Sequence, residues 1–168
     1  MKKLTQEYVR SILYYNPKTG EFFWKVRSDV RKEWNTRHAG KKTGHHGSPY
    51  CTLRINDCAY KAHRIAWLYI HGAMPFEIDH IDMDTKNNRI SNLREVTKSQ
   101  NQWGKSIQKN NTSGYKGVCY NKRNQSWQAG IKINGKNKAL GQYKTPEAAH
   151  AAYCKASAEL RGEYGRTA

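Results

Sequence analysis

Asp79 and His80 stand side by side at the end of a short run, Glu-Ile-Asp-His, and asparagines follow at positions 92 and 101. A carboxylate is a hard oxygen ligand for Mg²⁺ or Mn²⁺, and a neutral imidazole accepts a proton from water near pH 7. Hydrolysis of a phosphodiester needs both functions, a cation on the scissile phosphate and an activated water. Neighbouring side chains of a strand leave it on opposite sides, so both reach one phosphate only where the strand ends in a twist or loop. Asn101 falls in the first turn of a following helix, where its amide oxygen can complete a metal site. Asn92 lies in the loop between and can accept from the second nitrogen of His80, fixing its tautomer. The same residues also describe an ordinary polar loop with satisfied turns, and Asp82 and Asp84 read as turn residues of that kind.

The elements that must hold this group are short. Residues 77–80 and 94–96 read as two strands, and Thr97 with Gln100 forms a T-x-x-Q capping box that opens a helix at Lys98. Upstream, Thr5 caps a helix whose Tyr8, Val9, Ile12 and Leu13 recur at helical spacing, until Asn16-Pro17-Lys18-Thr19-Gly20 stops it. Phe22, Phe23, Trp24 and Val26 suit a strand. Residues 27–49, with Gly40, Gly44, Gly47 and Pro49, read as a long basic loop or arm suited to crossing phosphates. Residues 50–55 alternate as a strand does, and Asn56-Asp57 turns it into Ala59-Tyr60-Lys61. Residues 63–70 are helical, with Ile65, Ala66, Leu68 and Tyr69 for a core and Gly72 as a C-cap.

Residues 104–113 lack apolar periodicity and read as a linker. Beyond them, residues 115–120, 127–133 and 138–143 read as three strands, with Asn134-Gly135 as a type I′ hairpin turn. Thr145 and Pro146 then start a helix with Ala149, Ala152, Tyr153, Ala156 and Leu160 on one face, ended by Gly162. The expected class is α+β: a domain over residues 1–103, a linker over 104–113, and a three-stranded antiparallel sheet packed on one helix over 114–168.

Charge says what the partner is. The 168 residues carry 30 Lys and Arg against 13 Asp and Glu, a net charge of +17. Self-repulsion on that scale destabilises a compact state and implies a polyanion. The excess is +8 up to Gly104 and +9 in the 64 residues after it, so nucleic-acid contact is expected along the whole chain. No run of 18 apolar residues spans a membrane, and no apolar segment follows the basic Met1-Lys2-Lys3 to make a signal peptide. Cys51, Cys58, Cys119 and Cys154 form no C-x-x-C pair, which argues against a zinc or redox motif and for reduced, half-buried thiols.

The segment DHIDMDTKNNRISNLREVTKSQN resembles the HNH nuclease motif of phage and intron-encoded homing endonucleases, and YNPKTGEFFWK and KAHRIAWLYIHG resemble segments that accompany it. The resemblance covers about residues 4–103. It implies a ββα-metal fold with one divalent cation, His80 as general base, Asp79 and Asn101 as metal ligands, and Asn92 orienting His80. Asn101 stands where many such enzymes have His, and an amide oxygen favours Mg²⁺ or Mn²⁺ over zinc or nickel. The implied substrate is double-stranded DNA, cut by a site-selective homing-type enzyme. It nicks as a monomer and needs no protein partner, in the cytoplasm of a phage-infected host. The alternative is a DNA-binding regulator with an inactive HNH domain. His63 reads as a phosphate contact beside Arg64 or, preferably, as a hydrogen-bonded histidine packing the helix start. His45 and His46 read as a solvated pair.

The C-terminal part resembles the plant ethylene-response-factor type of DNA-binding domain. Tyr115-Lys116-Gly117-Val118, Trp127-Gln128-Ala129, Leu140-Gly141-Gln142-Tyr143, Thr145-Pro146-Glu147-Ala148-Ala149 and Arg161-Gly162 carry the likeness. That family lays its sheet in the major groove. Lys116, Arg123, Lys132 and Lys138 are the expected DNA contacts, with Tyr120 and Trp127 on sugars, although Trp127 equally suits a core. Arg64 and Lys98 are the expected contacts in the first domain. Cys119, Asn121 and Asn137 replace arginines of the plant domains, so no target sequence is implied.

Overall fold

The computed structural model describes residues 4–46 and 49–167, with the side chain of His46 excepted. The basic start at Met1-Lys2-Lys3 and the glycine at 47 therefore lie outside the described residues, and of the histidine pair only the side chain of His45 is placed, exposed. The chain divides into two compact units, residues 1–96 and 97–168.

In the first unit, α1 (Gln6–Ile12) starts where Thr5 accepts from the Tyr8 amide. It ends earlier than its periodicity suggests. Leu13, Tyr14, Tyr15 and Asn16 alternate in burial and form β1 (Leu13–Asn16), paired antiparallel with β2 (Glu21–Trp24) across the Asn16–Gly20 turn. A helical turn there would have left Tyr15 out of the core; the hairpin buries it against Phe22, ring centroids 4.7 Å apart.

Residues 27–49 are not a bare loop. They hold α2 (Lys32–His38), β3 (Lys42–Thr43) against β2, and β4 (His45–His46). The Arg27 guanidinium lies over the rings of Trp24 and Trp34 and is bonded to Asp29, Tyr8 and Asn56. A buried cation with that many partners organises a segment that composition alone reads as open.

β5 (Cys51–Ile55) pairs with β4 and with β6 (Cys58–Lys61), the latter through Asn56 and Asp57, both at positive φ as a type I′ turn demands. α3 (Ala62–His71) buries Ile65, Ala66 and Leu68, and Gly72 caps it in the left-handed conformation. One core unites Val9, Ile12, Leu13, Phe22, Leu53, Ile55 and Ile65 with Ile78 of β7 (Glu77–His80) and Leu93 of β8 (Leu93–Val96).

The second unit opens with α4 (Lys98–Trp103), whose capping box between Thr97 and Gln100 is complete. β9 (Val118–Asn121), β10 (Ser126–Ile133) and β11 (Lys136–Tyr143) form an antiparallel sheet in the order β11-β10-β9. α5 (Pro146–Arg161) lies on it through Ala149, Tyr153 and Ala156, with Thr145 as N-cap. The face is rotated from the expected one: Leu160 is exposed, and Ser157 and Arg161 are buried in its place. The four cysteines form no disulfide, and Cys119 is exposed rather than half-buried. Among the described residues no helix is long and apolar enough to cross a membrane.

Close approach between sheet and helix leaves room for glycine alone at 117. Its φ is +73°, and a Cβ would sit 2.1 Å from the Tyr153 ring. Gly117→Ala is expected to cost the second unit about 2–5 kcal/mol through strain and overpacking together. Denaturant melts of the two proteins measure it, and coincident curves contradict the packing described.

Candidate active site

The alternation of β7 buries Ile78 and His80 and leaves Asp79 on the other side, half-exposed. Its register with β8 sets Asp79 opposite Arg94 and His80 opposite Leu93. Arg94 holds Asp79 Oδ2 with two donors, Nε at 3.2 Å and an Nη at 2.9 Å. The carboxylate is therefore fixed and charge-balanced, a partner the sequence reading did not assign.

The loop from Ile81 to Asn92 is tied by its own amides. Asp82 Oδ1 accepts from Asn92 Nδ2 at 2.8 Å and from the Asp84 amide at 2.9 Å. Asn92 Oδ1 in turn accepts from the Asp82 amide, and Asn92 Nδ2 also donates to the Asn87 carbonyl. So the side chain of Asn92 knots the loop instead of meeting His80. The residue that meets the imidazole is Asn88, buried, with Oδ1 3.3 Å from His80 Nε2. The Asn87-Asn88 pair inside the motif was the available signal, and nothing in its spacing says which of three loop asparagines faces inward.

Asn88 is itself positioned from outside the motif. Tyr15 in β1 donates its buried hydroxyl to the Asn88 carbonyl at 2.6 Å, and the Ile90 amide donates to the Pro17 carbonyl at 3.2 Å. Gly20, at φ +76°, lets the β1–β2 turn lie on the loop: a Cβ there would be 2.6 Å from the backbone of Asn88 and Arg89. Burial pushes the pKa of the Tyr15 hydroxyl up, so it stays a donor.

His63, expected as a hydrogen-bonded histidine packing the helix start, is 5% exposed and packs edge-on to His80, ring centroids 5.0 Å apart. Its Nδ1 has no hydrogen-bond partner. Tyr50 tilts against both rings, at 5.3 Å from His63 and 6.4 Å from His80, with the Lys61 ammonium 4.2 Å above its own. Burial first, then the neighbouring His80, Lys61 and Arg64, press the His63 pKa down to about 3.

Several expected contacts have other work. Arg64 donates to the carbonyls of Pro75 and Phe76, steadying the approach to β7. Lys116 is part-buried, its ammonium donating to the Trp103 and Lys105 carbonyls at 2.7 Å each. Both cations are thus engaged by backbone carbonyls, with donors spent on the chain itself. Trp127 packs beside Val118, Ala129 and Ala149, and the Tyr120 ring tilts against it, centroids 4.9 Å apart. Arg123 in the β9–β10 turn, Lys98 on α4 and Lys138 opposite Ile131 are exposed. So is Lys132, on the sheet face away from the helix. Asn101 belongs to α4 in the second unit, so neither unit by itself joins it to Asp79.

Holding His63 neutral has a thermodynamic consequence. The folded ring titrates near 3 and the unfolded one near 6.5, so between those values the unfolded chain binds more protons. The stability this contributes is whole above about pH 6.5 and is lost as pH falls towards 3. Denaturant melts from pH 7 to pH 4 should show a steeper loss for the wild type than for His63→Phe. Equal slopes contradict the burial of a neutral ring.

The HNH endonuclease family model matches residues 60–103, the stretch from β6 through α4 that holds His63, Asp79, His80, Asn88, Asn92 and Asn101. The chain is similar to Protein 3.8 of Escherichia phage T7, 31% identical over 112 residues that cover 64% of this chain and 92% of that protein. It is also similar to the uncharacterized HNH endonuclease L560 of Acanthamoeba polyphaga mimivirus, 36% identical over 105 residues. That match takes in 61% of this chain and about half, 54%, of the viral protein. No solved structure matches the chain. The chain thus carries an HNH endonuclease domain over residues 60–103 and, with a viral HNH endonuclease among its relatives, is a nuclease.

Proposed function

We propose that the protein is a divalent-metal-dependent endonuclease that nicks double-stranded DNA as a monomer, at selected sites in the manner of a homing enzyme. The observation that carries this reading is the fixed His80. With Nε2–H donating to Asn88 Oδ1, the other ring nitrogen keeps its lone pair for a water beside the scissile phosphate. Asn88 takes the orienting role first given to Asn92, and Asn92 holds the loop that carries it.

Asp79 and Asn101 are the proposed ligands of one Mg²⁺ or Mn²⁺. Among the described residues no cluster of three or more His, Cys, Asp or Glu is assembled for a metal. A carboxylate with an amide oxygen fits a hard cation that draws its remaining ligands from water and substrate phosphate. Bound there, the cation would polarise the phosphate and offset charge building on it. Arg94, on Oδ2 of that carboxylate, sets where Asp79 presents itself.

The domain reading joined to this is a nuclease over residues 1–103, a linker over 104–113, and a DNA-binding module over 114–168 like the plant ethylene-response-factor domains. The support is the antiparallel sheet backed by α5, with Lys132 on the open face and Arg123 at the β9–β10 turn. A single catalytic group makes one attack at a time, hence a nick. The long basic chain, +17 overall, suits contact with many phosphates.

Supercoiled and phage genomic DNA incubated with the protein and Mg²⁺, followed by sequencing of the ends, tests the reading. Nicked circles with clustered ends are expected, and chelator or Asp79→Ala should abolish them. His80→Ala should lower the rate about 10²–10⁴-fold with nearly unchanged affinity, since a neutral imidazole neutralises no phosphate charge. Undiminished cutting in excess chelator sinks the metal role, and wild-type turnover by His80→Ala sinks the base. Binding without cutting under every condition leaves a DNA-binding regulator.

A further inference from the structure

The loop that closes the active site balances its charges and keeps two large apolar side chains outside. Between Ile81 and Asn92, Asp82 and Asp84 are offset by Lys86 and Arg89, so in a chain of +17 this segment carries no net charge. Attraction for phosphate therefore gives it little hold on DNA. What it presents instead is Ile81 and Met83, 50% and 55% exposed. Single apolar residues on a surface mean little. These two stand one and three residues beyond His80, and the backbone holds them out.

The Ile81 amide donates to the Asn92 carbonyl at 2.9 Å, carrying the β7–β8 pairing one residue past the strand. Alternation then sets Ile81 on the side of Asp79, away from the core that takes Ile78 and His80. Met83 lies at φ +66°, a left-handed backbone that glycine and asparagine adopt far more readily than methionine. Its amide donates to the His80 carbonyl at 3.0 Å, and the Asp82 amide donates to Asn92 Oδ1. The bonds that shape the loop thus fix both apolar side chains in water. His80, by contrast, is 5% exposed, with His63 and Tyr50 against its ring. A straight duplex laid over the loop meets Ile81 and Met83 before its phosphate reaches the imidazole. Apolar side chains so placed gain by entering a base step, which hides them from water and kinks the duplex open on their side.

We propose that Ile81 and Met83 form an apolar wedge that unstacks one base step of double-stranded DNA beside the bond to be cut. The occupant is taken from the DNA-nuclease reading above, on which the wedge rests. The pair touches no reacting atom. It acts by position, opening the duplex so that the scissile phosphate can settle over Asp79 and His80. A step that is cheap to unstack, such as TA or CA, is therefore favoured at the cut.

The test compares the full chain with a polar variant, Ile81→Ser/Met83→Asn, and with Ile81→Leu/Met83→Leu, which keeps the apolar tips. Asparagine suits the left-handed position, so the polar variant should melt no lower than the wild type. Relaxed circular plasmid, held in chelator with a topoisomerase that needs no metal, reads unstacking without cutting. At equal occupancy the wild type and the leucine variant should lower the linking number, and the polar variant should do so much less. In Mg²⁺ the polar variant should nick an intact duplex carrying the mapped site about 10–100-fold more slowly, the scale of unstacking one step. A mismatch at that step should restore the rate to near the wild type's, because the unstacking is done in advance. Equal linking numbers for all three proteins, or a deficit that the mismatch leaves untouched, overturns the wedge. So does a wild type that dimerises where the polar variant is monomeric and equally active, which makes the pair a contact between copies. Linking numbers lowered only by the apolar forms, with no nicking of any DNA in Mg²⁺, keep the wedge and remove the nuclease roles. Nicking of intact duplex at one rate by all three proteins removes the wedge alone.

Discussion

The Tyr15 hydroxyl, buried and donating to the Asn88 carbonyl at 2.6 Å, ties the N-terminal hairpin to the loop that faces His80. A loop of asparagines and aspartates has little apolar surface with which to fix its own shape, so its conformation has to be imposed by hydrogen bonds. The internal ones, Asp82 with Asn87 and Asn92, close the loop on itself. The external ones, from Tyr15 and Ile90, set where the closed loop stands against β7. Asn88 is the point where both sets meet the imidazole. The hairpin, outside the residues that the family model matches, is in this sense part of the active site.

Charge in this protein has two uses, and exposure separates them. Arg27, Arg64, Lys116 and Arg161 are buried or half-buried and hold carbonyls, carboxylates or aromatic rings, stitching segments that lack apolar residues. Lys98, Arg123, Lys132 and Lys138 are exposed, as phosphate contacts must be. A net charge of +17 therefore overstates the charge ready for DNA.

Much of the fold could be read from local chemistry. The caps at Thr5, Thr97 and Thr145, the turns at Asn56-Asp57 and Asn134-Gly135, and the stop at Gly72 each satisfy backbone groups within a few residues. What escaped depends on distant partners. Leu13 and Tyr15 fit a helical period as well as a strand, and pairing with β2 decided between them. The structure in residues 27–49 hangs on Arg27 and two tryptophans. Asp79 and His80 stand out in the sequence because two ionisable side chains adjoin at the end of a short strand, whereas Asn88 and Asn92 are the same residue type in one loop. Lys116 and Arg64 show the same limit: a lysine or arginine in a sequence carries no mark of whether a carbonyl already holds it.

A double-mutant cycle on DNA nicking by the full chain reaches the central claim, that Asn88 acts through the His80 ring. Single-turnover rates in Mg²⁺ for wild type, Asn88→Ala, His80→Ala and the double variant, each at saturating protein, make up the cycle. The account predicts that Asn88→Ala slows the wild type by about tenfold or more and scarcely alters the residual rate of His80→Ala, because the interaction is already gone. An equal loss in both backgrounds would contradict it, leaving Asn88 as a loop residue that does not act through the imidazole.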